Sequence, residues 1–321
     1  MEYIILFIVL LIIELVYFKI ADRFDIIDKP NLRSSHSSIT LRGGGIIFYF
    51  GVLAFFLISN FQYPWFFLGL TLMTLISFLD DILTLSNKIR LIVHFGSVLL
   101  MAFELNVFSL PIYYLIITFI VVVGVINAYN FMDGINGITA IYSLVVGVLL
   151  LLANSITPYI NIDLLVYTSI AVVVFSIFNF RNTAKAFAGD VGSVAIAYIL
   201  LFSLGALIFK TGNLIYMLFL TVYGIDAVWT ILRRLYLKEN IFEAHRSHLY
   251  QYLANEAGIN KLLVSFIYGF LQLIIGLLVL WIVNFETLTQ IIFSVTLLFL
   301  SSIIYLVAKN YVLKTYLIDK S

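Results

Sequence analysis

The chain has 321 residues, 63% of them hydrophobic and 11% charged, with a formal net charge of +1. Soluble proteins carry about a quarter charged residues, so bilayer rather than water is the main solvent here. Cysteine is absent, which excludes structural disulfides, thiolate metal sites and a cysteine nucleophile.

A helix that crosses a bilayer needs roughly 20 mainly apolar residues. Runs of that kind occupy 3–20, 44–60, 64–79, 91–106, 111–128, 138–154, 162–180, 193–210, 213–232, 262–284 and 288–308. The expected fold is all-α: a single polytopic membrane domain spanning residues 1–321. The first run lacks a basic leader, contains Glu14 and is followed by no small-x-small cleavage site, so it reads as a retained span and not a signal peptide. The weakest run is 91–106, which carries His94 and Glu104. All the runs are continuous rather than alternating, which excludes a β-barrel.

Charge placement orients the chain, because Lys and Arg collect in cytosolic loops. With the N-terminus outside, every Lys and Arg except Lys210 falls on the inward side, and the C-terminus is cytosolic. Outward connections such as Asn60 to Tyr63 and Val107 to Leu110 are short and uncharged, whereas the inward ones hold Asp80, Asp81, Asp133, Asp190, His36, His245 and His248. Chemistry is therefore expected at the cytosolic face.

The first inward segment, Asp28 to Gly45, holds Arg33, His36 and Arg42 before three glycines. Cations and donors of that kind suit a phosphate. The plainer alternative is a basic loop resting on anionic lipid. The second begins with Asp80 and Asp81, followed by Lys88 and Arg90. Adjacent carboxylates at a membrane boundary need cations, metal or water. They suit Mg²⁺, which shares such oxygens with substrate phosphates, or else form a solvated helix end paired to Lys88 or Arg90. The third, Asn127 to Gly137, contains Asn130, Asp133 and Asn136 without any Lys or Arg. It is either a simple turn or a site facing metal or a base edge.

The fourth, Phe178 to Ser193, opens a helix at Gly189-Asp190-Val191-Gly192-Ser193. A helix start is a natural anion site, and Asp190 can equally serve as its cap. Phe187 offers interfacial packing or a stacking platform for a base. The fifth, Ala244 to Gln251, places His245 and His248 three apart, on one face if helical, with Arg246 between them. They suit a phosphate or a sugar better than zinc, for which no third ligand is evident. Asp226 and Arg233, on the preceding helix, read as an ion pair.

With these motifs in this order, the chain resembles the polyprenyl-phosphate N-acetylhexosamine-1-phosphate transferases. That family includes the enzymes that make lipid-linked N-acetylglucosamine for surface polymers and the phospho-MurNAc-pentapeptide transferase. The resemblance runs from Asp28 to Gln251 through R-S-S-H…R-G-G-G, F-L-D-D, N-F-M-D-G, F-A-G-D-V-G-S and A-H-R-S-H-L-Y-Q. The last motif looks most like the branch that starts O-antigen-type polymers.

The resemblance implies a catalytic acidic pair at Asp80 and Asp81 and a main Mg²⁺ ligand at Asp190, with Mn²⁺ as an alternative ion. It implies nucleotide-site positions at Asn130, Asp133, Asn179 and Phe187, and phosphate or sugar contacts from Lys88, His245, Arg246 and His248. It further implies ten or eleven spans in the plasma (inner) membrane, a UDP-N-acetylhexosamine donor, a polyprenyl phosphate acceptor such as undecaprenyl phosphate, and no nucleic-acid partner. A homodimer is expected by analogy only. Three departures stand out. Ile39-Thr40-Leu41 replaces the usual P-T-P, Asn136 replaces a second Asp, and the triple His of the peptidoglycan enzyme is absent, against a MurNAc-pentapeptide substrate.

Rival classes fit less well. A transporter would show paired repeats and midplane charges, whereas these charges sit at the inward boundary. The D-G-x-x-A-R pattern of CDP-alcohol phosphotransferases is missing, and A-G-D after Phe187 lies outside the span cores that an intramembrane aspartyl protease would need.

Overall fold

A computed structural model describes residues 1–30, 39–83, 85–240 and 245–318. Arg33 and His36 lie outside the described residues.

Each of the eleven apolar runs is helical. In chain order they form α1 (Glu2–Arg23), a 3-10 turn Gly44–Ile46 leading into α2 (Ile47–Ile58), α3 (Pro64–Leu83), α4 (Asn87–Glu104), α5 (Ile112–Met132), α6 (Ile138–Ile156), α7 (Ile162–Asn179) and α8 (Gly189–Thr211). A 3-10 segment Leu214–Leu220 leads into α9 (Thr221–Tyr236). A short turn, α10 (Leu249–Gln251), then precedes α11 (Lys261–Ile282) and α12 (Thr287–Leu313). Among the described residues, nine helices are long and apolar enough to cross a membrane. Of the other two, Gly44–Ile58 is shorter, and α4 carries Lys88, Arg90 and Glu104.

The charges on α4 have partners on α3. Glu104 Oε2 accepts from the Trp65 and Phe66 N–H groups at the start of α3, at 2.7 and 3.2 Å. Such a carboxylate satisfies helix donors that would otherwise be orphaned in lipid. At the other end, Arg90 pairs with Asp80 at 2.7 Å. The two helices therefore form an antiparallel hairpin pinned at both ends.

Helix α8 lies at the centre, nearly all of it buried, and packs on α3, α5 and α6. Its small residues, Gly192, Ser193, Ala195 and Ala197 among them, permit close backbone approach. A β carbon on Gly45 would stand 2.4 Å from the Gly192 Cα, so backbone meets backbone there. A two-stranded antiparallel ribbon, β1 (Ile27–Asp28) and β2 (Thr40–Leu41), lies beside that contact, and Leu41 bridges onward to Ala186. Gly44 N–H donates to Phe187 O at 2.9 Å, and Phe187 N–H to Leu41 O at 2.9 Å. These bonds stitch the segment before α2 to the segment before α8.

Candidate active site

Asp80, Asp81, Asp133 and Asp190 sit where these helix ends meet. Asp80 and Asp81 lie on the last turns of α3, which runs to Leu83 and not to 79, so they are helical rather than the start of a loop. Asp190 occupies the first turn of α8, and Asp133 closes α5.

The Asp81 side chain is fully buried and accepts three bonds. Arg42 Nε lies 2.8 Å away, and the Asp190 and Val191 N–H groups donate at 3.2 and 3.1 Å. The anion site at the start of α8 is thus filled from within the protein, by a carboxylate from α3. Asp80 is held by Arg90 at 2.7 Å and by the Leu85 N–H at 2.7 Å. Asp190 faces both guanidiniums at longer range, Arg42 at 3.4 Å and Arg90 at 3.5 Å. Its side chain keeps 22% exposure against none for Asp81, so it is the loosely held acid of the three. A carboxylate in that state fits a Mg²⁺ ion that keeps waters and shares substrate phosphates. Among the described residues no cluster of three or more His, Cys, Asp or Glu is assembled for a metal.

Asp133 accepts from Thr139 Oγ1 at 2.6 Å. Dense packing around its carboxyl pushes its pKa up to about 7. The Thr139 bond opposes that rise, the Asp190 and Asp81 charges add to it, and Arg42 opposes it.

The remaining predicted residues divide by contact. Asn130 donates to Ser193 Oγ at 3.3 Å, linking α5 to α8. Asn179 is buried and clamps two backbones, accepting from Gly137 N–H at 2.8 Å and donating to Ala186 O at 2.9 Å. Phe187 is half-buried between the backbone bonds already described. Lys88 stands exposed on the first turn of α4.

The His pair belongs to a directed hydrogen-bond chain. Arg234 Nη1 meets His245 Nδ1 at 2.6 Å, His245 Nε2 meets His248 Nε2 at 3.2 Å, and His248 Nδ1 meets Asp226 Oδ1 at 3.2 Å. Arginine only donates and a carboxylate only accepts, so the chain places the His245 proton on Nε2 and the His248 proton on Nδ1. Such rings present no bare nitrogen pair to zinc. Arg246 is ion-paired to Glu256 at 3.2 Å. The Phe131 ring lies 5.6 Å from His245, and Phe131 O accepts from Tyr250 OH at 2.8 Å, which ties this chain to the turn bearing Asp133.

Asp226 is not committed to Arg233 as the sequence suggests. It is buried and accepts from His248, Tyr268 OH at 2.7 Å, Tyr305 OH at 3.2 Å and the Leu249 and Tyr250 N–H groups. Those partners come from α10, α11 and α12, at distances in sequence that local patterning does not reach. Lys309 stands behind them, 2.6 Å from Tyr305 OH. Asp226→Ala orphans these donors together, so it should cost about 3–5 kcal/mol. Thermal denaturation in detergent reads that loss; a melting point at the wild-type value would remove Asp226 as the keystone.

The family model described as Glycosyl transferase family 4 matches residues 63–208. A probable undecaprenyl-phosphate N-acetylglucosaminyl 1-phosphate transferase of Bacillus subtilis is 26% identical over 313 residues, covering 88% of this chain and 86% of that relative. An undecaprenyl-phosphate alpha-N-acetylglucosaminyl 1-phosphate transferase of Thermotoga maritima is 28% identical over 261 residues, 77% of this chain and 80% of its own. One of the same description from Yersinia pestis is 30% identical over 201 residues, 56% of this chain and 55% of its own. Fold and site define a polytopic membrane protein with an acid-and-arginine cluster at converging helix ends. The family model and these relatives support the polyprenyl-phosphate N-acetylhexosamine-1-phosphate transferase family for this chain.

Proposed function

We propose that the protein transfers an N-acetylhexosamine-1-phosphate from a UDP-sugar to undecaprenyl or another polyprenyl phosphate, releasing UMP. The observation that carries this is the convergence of Asp80, Asp81, Asp190, Arg42 and Arg90 within ion-pairing distance at the helix ends, in a chain of this family. A phosphate oxygen of the lipid attacks the sugar-linked phosphorus. The bond from that phosphorus to the bridging oxygen breaks, and UMP leaves with the electron pair. One phosphoanhydride replaces another, so the step is near balance and catalysis is mainly positioning and charge neutralisation.

Asp190 is the acid we assign to Mg²⁺, or Mn²⁺ in its place, which when bound neutralises charge on the diphosphate. Asp81 holds the start of α8 and Arg42 in place. Asp80 holds Arg90 where a phosphate arrives. Asn130, Asp133 and Phe187 form the nucleotide side, with Asn179 clamping the backbone beneath it. Lys88 and Arg246 line the phosphate and sugar side, and His245 and His248 stand behind them in the chain that ends on Asp226. Eleven spans with the N-terminus outside and the C-terminus and site cytosolic would put the acids where UDP-sugars are made and the lipid waits in the leaflet. The product would begin a surface glycan of the O-antigen, teichoic acid or capsule type.

The test is purified protein in detergent with undecaprenyl phosphate, Mg²⁺ and a panel of UDP-N-acetylhexosamines, assayed for UMP with and without EDTA. Lipid-dependent, EDTA-sensitive UMP release is the expected result. Folded protein that neither releases nor binds UMP would overturn the proposal.

A further inference from the structure

His94 sits on α4 one turn beyond Arg90, on the same helix face. It is only 9% exposed, and its Nε2 is buried with no hydrogen-bond partner among the described residues. It lies close enough to Arg90, Asp190 and Asp80 to feel their charges. Two more orphans accompany it: the hydroxyls of Thr74 on α3 and Ser97 on α4 are also buried and unpartnered. The contacts that pin the α3–α4 hairpin, Arg90 with Asp80 and Glu104 with the start of α3, set its register. Thr74 then falls level with the turn from His94 to Ser97.

Below this level the seam is closed. Tyr198 OH donates to Ser97 O at 2.7 Å, and Gly69 leaves it room, since a β carbon there would stand 2.1 Å from the tyrosine oxygen. The seam is thus polar, floored by Tyr198, and continuous with the acid cluster above it. Buried polar groups are nearly always satisfied, and a set left unpaired at one place calls for an occupant.

The two proposed substrates approach the cluster from different sides. The UDP-sugar comes from water, and the lipid phosphate is held at the membrane by its chain. His94 lies one helical turn, about 5 Å, further from the acid cluster than Arg90 along the α3–α4 hairpin. We propose that His94 is a binding residue for the acceptor: its Nε2–H donates to an oxygen of the lipid-borne phosphate held beside Arg90. This rests on the transferase activity proposed above.

The experiment measures UMP release by wild type, His94→Leu and His94→Gln, varying undecaprenyl phosphate and UDP-sugar separately, with a thermal melt of each protein. In His94→Leu the lipid KM should rise ~10-fold or more, as for loss of a hydrogen bond to a charged group. The UDP-sugar KM should stay put, and the melting point should hold or rise, because an unsatisfied buried nitrogen has been replaced by an apolar side chain. His94→Gln, which keeps an N–H donor, should recover most of the lipid affinity. Parallel shifts in both KM values would assign His94 to packing, and no shift in either would leave it a water ligand only; each result overturns the proposal. A wild type without turnover would sink the transferase function itself, and the assignment with it.

Discussion

Asp190→Asn is expected to lower turnover by roughly 10²–10³-fold, the scale of losing one electrostatic stabiliser in a preorganised site. The fold should survive. Asp190 contacts Arg42 and Arg90 only at 3.4 and 3.5 Å, and the helix start is secured by its backbone N–H on Asp81, which the substitution leaves in place. Asparagine keeps the shape of the side chain and one of its oxygens but lacks the charge that a hard divalent cation needs. UMP release and a thermal melt on the same preparation separate the two effects. Near-normal turnover would falsify the assignment of Asp190 to the metal.

Gly45→Ala should be the most damaging change to the fold. The new methyl would lie 2.4 Å from the Gly192 Cα and 3.0 Å from the Ala188 carbonyl oxygen. Both obstacles are backbone, so no rotamer change relieves them, and α8 must move away from the start of α2. Overpacking usually costs 1–3 kcal/mol; with rigid backbone on both sides, about 3 kcal/mol or more is expected. Gly192→Ala meets the Gly45 Cα at 2.5 Å and should behave alike. Gly124→Ala, on α5 with nothing within 4 Å of the added carbon, is the control and should be neutral or slightly stabilising. Yield of monodisperse protein and melting point check all three, and a folded Gly45→Ala protein of wild-type stability would contradict the backbone contact.

The helices were legible because bilayer burial writes continuous apolar runs of fixed length. The acids were legible because a carboxylate in such a chain is costly and has to be explained. What connects them was not. Arg90, two residues after Lys88, looked like a solvated partner for a helix end, yet it reaches both Asp80 and Asp190. That bridge depends on the register between α3 and α4 and on the approach of α8, neither of which local pattern encodes. Asn179 matched a nucleotide-site motif, but its amide is engaged by two backbones brought together only in the fold. Asp226 reads as a partner of Arg233 because nothing nearby in the sequence signals Tyr268, Tyr305 and Lys309, up to 83 positions away. Helix ends also shifted. Asp80 and Asp81 fell just past the apolar run, although polar residues extend a helix readily once it reaches the interface.

The occupied head of α8 bears on how the protein tells its ligands from the inorganic phosphate and sulfate around it. Asp81 already takes the Asp190 and Val191 N–H groups, and the guanidiniums of Arg42 and Arg90 are matched to carboxylates. A bare oxyanion would find those donors already engaged and would meet Asp80 and Asp190 as like charges. Only a ligand that arrives with its own counter-ion, or with a lipid chain or nucleoside to offset the repulsion, gains by entering. Charge alone would then discriminate against small anions at this site.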